Sequence, residues 1–234
     1  PFTQYGVGLV QSEMIDAFFE EYHSKLVEYG VDGVKVDAQS VLSLIYDERV
    51  GRTVAQDYHI GLRKSIKKSF LSPPSGRHPS NSPIIHCMCH SQHTLLTIGA
   101  LYSKDSCPPV VRGSDDFWPL VDHSHGPHVF VNAMNSLLVS FIGKHDWDMF
   151  QSNLGKSSHM HAVSRAISGG PVYVSDTPEA HNADILNRLA FRDGSLPMSI
   201  RNARPVAGMI YKDVQREDGT ALCIQNANPA GGLV

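Results

Sequence analysis

Lys35-Val36-Asp37 closes the run Gly30-Val31-Asp32-Gly33-Val34-Lys35-Val36-Asp37, setting an ammonium group two residues before a carboxylate. Val31, Val34 and Val36 favour an extended backbone, and residues two apart in a strand share one face. A lysine so placed holds the carboxylate ionised and can donate a hydrogen bond to a ligand. The plainer alternative is a strand end with one surface ion pair, and the block alone leaves both open. Carboxylates recur after other apolar runs, in Arg112-Gly113-Ser114-Asp115-Asp116, in Asp146-Trp147-Asp148 and at Asp176. Two carboxylates on one rim are what glycoside cleavage requires. One attacks the anomeric carbon or stabilises its positive charge, and the other protonates the leaving oxygen. A separation of about 5 to 5.5 Å would imply a covalent intermediate and retained configuration. Lys35 and Arg112 would keep neighbouring carboxylates ionised and bind sugar hydroxyls, while Trp118 and Trp147 offer flat apolar faces. Blander roles stand beside these: Asp115-Asp116 or Asp176 as helix caps, Trp147 in the core, Cys87 and Cys89 as small buried residues, and His159 and His161 as packing or surface residues.

The elements that must carry these groups follow from periodicity. Over residues 12–29, Met14, Ile15, Phe18, Phe19, Tyr22, Leu26 and Val27 recur at helical spacing, with Ser12 expected as the N-cap and Gly30 as the stop. Residues 40–70 read as one long or broken helix, whose Arg63-Lys64-Ser65-Ile66-Lys67-Lys68 run reads as a solvated face. The Pro/Ser-rich stretch at 72–79 is a loop connecting elements. Strands are expected at 83–90, 110–112 and 171–176, with a strand-end segment at 146–150. Helices are expected at 93–101, 124–142, 157–168 and 181–190, and a last short strand at 221–224.

Strand then helix, repeated about five times without hairpin signals, argues for βα units and a parallel sheet. No Gly-x-Gly-x-x-Gly or Gly-Lys-Ser/Thr loop follows any strand, which lowers the case for a nucleotide-binding open sheet. About five units are too few for a whole barrel of eight. The expected fold is therefore α/β, a (β/α)8 TIM barrel of which this chain is the later part, about strands 4 to 8. Residues 1–195 would form the partial catalytic barrel, and residues 196–234 its exit and the start of a C-terminal β region. Such a piece would expose sheet edges and is not expected to be stable alone. In this count Asp37 and the Asp115/Asp116 pair lie two strands apart, a natural spacing across a small barrel mouth.

Composition narrows the class. The 234 residues are 41% hydrophobic and 18% charged, enough for a real core in one large domain or two small ones. A net charge of −3 gives no electrostatic case for nucleic acid or an anionic membrane. No stretch approaches the ~20 apolar residues of a membrane span. Four scattered cysteines make no disulfide framework, and Cys87-x-Cys89 lacks a second pair to complete a zinc site. The thirteen histidines form no ligand array, so no metal and no cofactor is expected. The chain opens on Pro1-Phe2-Thr3 and is expected to be cut from something longer; the cytoplasm is the favoured compartment.

Four blocks occur in one order: Gly33-Val34-Lys35-Val36-Asp37-Ala38-Gln39, then Arg112-Gly113-Ser114-Asp115-Asp116-Phe117-Trp118-Pro119, Asp146-Trp147-Asp148-Met149-Phe150 and Gly169-Gly170-Pro171-Val172-Tyr173-Val174-Ser175-Asp176. In order and spacing, from about residue 6 to residue 226, the chain resembles the raffinose synthase and alkaline α-galactosidase (seed imbibition protein) family. That family belongs to the α-galactosidase clan of retaining glycosidases on (β/α)8 barrels. The resemblance implies that Asp37 is the nucleophile forming a galactosyl–enzyme. It implies that Asp116, four residues after the arginine, is the acid/base, with Asp115 the runner-up. Lys35 and Arg112 would bind galactose hydroxyls, with Cys87 a further candidate for that pocket, while Trp147 and Asp148 shape the acceptor side. Gly113 and Trp118 stand where plant members carry Ala and Phe, and Cys89 and the loop at 72–82 differ as well, which points to a non-plant member.

The implied activity is α-galactoside hydrolysis, or transfer to a sugar with galactinol and sucrose as candidate substrates; hydrolysis is favoured for a non-plant member. The alternatives are a galactinol–sucrose galactosyltransferase proper, a barrel acting on another α-glycoside, and a non-catalytic carbohydrate-binding barrel. Retention of Lys35, Asp37, Arg112, Asp115 and Asp116 argues against the last.

Overall fold

A computed structural model describes residues 8–71, 82–103, 105, 107–197, 199–214 and 218–229. Most of the expected Pro/Ser loop at 72–82 lies outside these residues. The architecture is α/β: short strands alternate with helices, and the main sheet has the order β1 (Val34–Val36), β2 (Ile84–His86), β3 (Val110–Arg112), β4 (Lys144–Asp146). The chain forms two compact units, Pro1–Val111 and Arg112–Val234, with the division falling inside β3.

In the first unit, β1 and β2 are parallel with Val34 opposite Ile84, Lys35 opposite Ile85 and Val36 opposite His86. Strand β3 continues the parallel pattern, with Ile85 opposite Val110 and His86 opposite Val111. Helix α1 (Ile15–Glu28) precedes β1, α2 (Glu48–Phe70) links β1 to β2, and α3 (Gln92–Tyr102) links β2 to β3. Parallel neighbours need such crossovers. The expected Ser12 cap is not formed. Ser12–Met14 make one turn of 3-10 helix without a side-chain cap, and the α-helix proper starts at Ile15. Gly30, at φ +80°, ends α1 as expected; its N–H reaches the Val27 carbonyl and the Val31 N–H reaches Leu26.

The 40–70 segment is broken. A 3-10 stretch over Gln39–Leu44 precedes α2, and Asp47 starts α2 by accepting from the Arg49 and Val50 amides at 2.9 and 3.1 Å. Helices α1 and α2 pack closely at Gly61, where a Cβ would lie 2.6 Å from Ile15 Cγ2. The basic run on α2 is more than a solvated face. Arg63 and Lys67 both reach Asp105, at 2.5 and 2.7 Å, Lys64 reaches Asp16 at 2.7 Å, and Lys68 contacts Glu20.

The second unit contains α4 (His125–Val139), β4, α5 (Lys156–Ser168), a single turn α6 (Ala183–Leu186), and the antiparallel pair β5 (Arg204–Pro205) and β6 (Ile224–Gln225). The strand expected at 171–176 reduces to one parallel bridge, Phe150 to Val174; Pro171 has no N–H to extend the ladder. The helix expected at 181–190 is equally short. Asn182 caps it through the Ile185 amide, and the chain then tightens into i→i+3 bonds at Arg188 and Leu189. One apolar cluster joins Phe117, Phe150, Ala162 and Ile185; another joins Val129, Ala133, Trp147 and Ala203. Among the described residues no helix is long and apolar enough to cross a membrane.

Candidate active site

A densely charged cluster lies in the second unit and starts where β3 ends, at Arg112. This side chain is fully buried. Burying a guanidinium is costly unless carboxylates answer it, and three do. Nη2 lies 3.2 Å from Asp116 Oδ1, and Nε lies 3.7 Å from Asp146 Oδ2. Nη1 lies 2.5 Å from Asp148 Oδ2, a charge contact rather than an aligned hydrogen bond. One planar fork thus faces three carboxylates, a geometry no lysine can reproduce.

The chain passes from Arg112 into the Asp115-Asp116 turn through Gly113, which runs against the His145 imidazole. Beyond the turn, the Phe117 amide donates to Asp148 Oδ2 at 2.8 Å, drawing the segment down onto the buried carboxylate. The Asp116 side chain itself is 76% exposed, and Asp115 is exposed as well. The expectation that Asp115-Asp116 caps a helix is not met: α4 begins only at His125 and has no side-chain cap.

Asp146 is the last residue of β4, and Asp148 follows two residues later with φ +65°, uncommon for a non-glycine. The Asp148 amide donates to Asp146 Oδ1 at 2.9 Å. The Tyr173 hydroxyl lies 3.2 and 3.0 Å from the two Asp146 oxygens and 3.4 Å from Asp148 Oδ1. Burial raises the Asp146 carboxyl above its usual range, against the opposing pull of Arg112 and the Tyr173 hydrogen bond. Burial, reinforced by the Asp146 and Asp148 charges, also raises the Tyr173 phenol, so it stays a hydrogen-bond donor.

A second buried guanidinium, Arg165 on α5, fixes the other side of the Asp148 segment. Its Nε donates to the Asp148 carbonyl and its Nη2 to the Met149 carbonyl, both at 3.1 Å. Its Cζ lies 5.4 Å from the Phe117 ring centre. Burial lowers its pKa to about 10, so it remains charged at neutral pH. Nη1 lies 2.6 Å from His161 Nδ1, and His161 Nε2 lies 2.7 Å from His125 Nδ1. Burial and the Arg165 charge lower His161 to about 3, so its ring is neutral and its Nδ1 accepts from the guanidinium.

The first unit holds the other group of expected site residues. Asp37 lies just past β1 and is exposed, with its Oδ1 accepting from the Ala38 amide at 2.7 Å. Ala38 adopts φ +53°. Gln39 then folds back, its Nε2 donating to the Val36 carbonyl at 2.7 Å and the Cys87 carbonyl at 3.2 Å, while Oε1 faces His86 Nδ1 at 3.2 Å. This amide ties the ends of β1 and β2 together beneath Asp37. Lys35 is exposed on β1, and Cys87 is buried.

Of the residues singled out by sequence, the structure brings Arg112, Asp116 and Asp148 into direct contact, with Asp146 beside them. Trp147 is fully buried, its indole N–H donating to Ser136 Oγ at 3.3 Å, whereas Trp118 is 60% exposed. Asp176 does not cap α6. It accepts from the Ser152 amide at 2.7 Å and lies 3.0 Å from His181 Nδ1. His161 is buried and His159 exposed. Sequence reasoning missed Tyr173, Arg165 and the Phe117 amide. A charged residue on the face of α5 that also carries Ala162 and Ser168 was the available signal for Arg165. Among the described residues, no group of three or more His, Cys, Asp or Glu side chains is arranged to hold a metal ion.

Residues 2–234 match the family model for raffinose synthase or seed imbibition protein Sip1. A probable galactinol–sucrose galactosyltransferase 1 from Arabidopsis thaliana is 37% identical over 99% of this chain and 29% of its own length. A galactinol–sucrose galactosyltransferase from Oryza sativa subsp. japonica is 35% identical over 98% of this chain and 28% of its own. A stachyose synthase from Pisum sativum is 34% identical over 99% of this chain and 26% of its own. The chain therefore spans 26–29% of the length of these relatives. On this match across nearly its whole length, the chain belongs to the raffinose synthase and seed imbibition protein family.

Proposed function

We propose that the protein containing this chain transfers α-galactosyl groups by double displacement on a (β/α)8 barrel, of which this chain supplies about strands 4 to 8. The observation that carries the reading is the buried Arg112 fork, which holds the exposed Asp116 carboxylate beside two buried ones. An acid/base must be solvent-accessible to meet a leaving oxygen yet fixed in direction, and Asp116 has both properties.

In the proposed reaction, a carboxylate oxygen of Asp37 attacks the anomeric carbon of an α-galactoside. The bond to the leaving oxygen breaks, and Asp116 gives that oxygen its proton. An acceptor hydroxyl then attacks the same carbon, its proton passes to Asp116, and Asp37 departs. Two inversions give net retention. Lys35 donates to a galactose hydroxyl, Arg112 orients Asp116, and Trp118 offers an exposed ring face to the acceptor sugar. The names of the relatives, galactinol–sucrose galactosyltransferase and stachyose synthase, favour a sugar over water as acceptor.

The test uses the full-length protein with galactinol and sucrose, comparing the unaltered enzyme with Asp37→Asn and Asp116→Asn. Each variant is expected to lose transfer by ~10²-fold or more, as removal of a nucleophile or acid/base does. A 2-fluoro-galactosyl donor should leave its label on the peptide containing Asp37. Unaltered turnover in both variants would end the assignment, and free galactose as the sole product would convert transferase to hydrolase.

A further inference from the structure

We infer that Asp148 is a positioning residue for the acid/base: it fixes Asp116 from beneath rather than touching the sugar. The inference rests on the α-galactosyl reading above. Asp148 is 1% exposed, so its carboxylate lies beneath the surface on which Asp116 stands. One of its oxygens, Oδ2, contacts two points that bracket Asp116 along the chain. It accepts from the amide of Phe117, the next residue, at 2.8 Å, and it meets Nη1 of Arg112, four residues before, at 2.5 Å. The same guanidinium extends Nη2 to the Asp116 carboxylate at 3.2 Å. A carboxylate that is 76% exposed is not aimed by packing around it. Its direction comes from the backbone on one side and the guanidinium on the other, and Asp148 holds both.

Asp148 is itself over-determined, as a positioning group must be. Its amide donates to Asp146, its carbonyl accepts from Arg165, and its other oxygen lies 3.4 Å from the Tyr173 hydroxyl. It keeps φ +65°, a conformation that persists in a non-glycine residue only where the surroundings impose it.

A displaced acid shows itself through the leaving group. The alcohol portion of galactinol departs as an alkoxide unless Asp116 protonates it. Fluoride departs from α-galactosyl fluoride without a proton, and azide then takes the galactosyl group from Asp37 without needing a base. In the full-length enzyme, Asp148→Asn keeps the size of the side chain and removes its charge. Its kcat with galactinol and sucrose is expected to fall ~10²-fold, the cost of a misplacement near 1 Å, while kcat with α-galactosyl fluoride and azide falls only a few-fold. A rise in KM common to both donors would report movement of Arg112; the kcat difference between donors reports Asp116.

Equal losses in kcat on the two donors, or no loss on either, would overturn the inference. Should Asp148→Asn fail to fold, Asp148→Glu, which keeps the charge on a longer arm, is read by the same pair of donors. Asp116→Asn is run alongside. If it shows the donor difference and the Asp148 variant does not, the positioning role fails alone. If Asp116→Asn shows none, the acid/base role proposed for Asp116 fails, and the positioning role with it.

Discussion

Gly113→Ala tests how closely the turn bearing Asp115 and Asp116 passes the His145 ring. A Cβ at residue 113 would stand inside the imidazole, against Nε2 and 2.7 and 2.9 Å from Cε1 and Cδ2. The ring has little room to yield. It is fully buried, its Nδ1 is 2.7 Å from Ser136 Oγ, and it meets the Trp147 indole edge-on at 6.2 Å. The backbone is held as well, since the Gly113 carbonyl accepts from Asn135 Nδ2. The added methyl must therefore push the ring off Ser136 or push the turn outward, and overpacking of this kind costs about 1–3 kcal/mol. His145→Ala alone costs about 2 kcal/mol or more, because it opens a cavity in the buried core and removes one of the hydrogen bonds of Ser136. In that background the methyl finds space, so Gly113→Ala should then cost under about 0.5 kcal/mol, a coupling of about 1–3 kcal/mol. Urea midpoints of the four proteins, read at unchanged m, measure the cycle. If Gly113→Ala costs the same with and without the His145 ring, the turn does not run where the structure draws it. The same geometry requires any relative with alanine at this position to seat the facing side chain differently.

Two further predictions concern protonation. His59, His86, His128 and His161 are held neutral chiefly by burial, with pKa values of about 4, 3, 4 and 3, whereas the unfolded chain protonates them near 6.5. The unfolded state thus binds more protons below pH 6.5, and stability should fall from there down to about pH 4 by up to ~1.4 kcal/mol per pH unit per histidine. Equal urea midpoints at about pH 7.5 and about pH 5 would contradict this. Cys223 is exposed while Cys87, Cys89 and Cys107 are buried, and burial pushes the Cys89 thiol up to about 12. A thiol reagent followed by peptide mapping should label Cys223 first in the native protein, and equally rapid labelling of Cys89 would refute the buried placement.

The α/β alternation was legible because each crossover helix carries its own periodicity and its own punctuation. Gly30 stops α1 by taking φ +80°, and β3 falls on Val110–Arg112 as expected. Where local signals competed, the reading failed. Ser12 looks like a cap, yet the chain makes a 3-10 turn there and α1 starts at the apolar Ile15, which is buried against α2. The run Val172-Tyr173-Val174 has strand composition, yet one bridge forms because its neighbours are Pro171 and a tyrosine turned towards Asp146. Of the site, Arg112, Asp116 and Asp148 were visible as charges at strand ends. The partners that hold them were not, because Arg165 lies 53 residues beyond Arg112 in the chain and the Phe117 contribution is a backbone amide, which every residue type but proline can provide.

The charge count around Arg112 explains why the site needs the residues that sequence reasoning overlooked. Two guanidiniums, Arg112 and Arg165, and two carboxylates, Asp146 and Asp148, are buried together in the second unit. Arg112 with Asp148 alone would leave Arg165 uncompensated, and removing one partner of a buried pair costs about 3–5 kcal/mol. Arg165 is answered by backbone carbonyls, by the Phe117 ring and by a histidine kept neutral so that it accepts rather than repels. Tyr173 supplies a proton donor without a charge to the carboxylate pair. With that interior neutral, Asp116 adds a negative charge where water can screen it, at the open end of the Arg112 fork. The acid/base role proposed for Asp116 has it change charge twice in each catalytic cycle. Carried on an exposed carboxylate over a balanced interior, that change leaves the buried pairs intact.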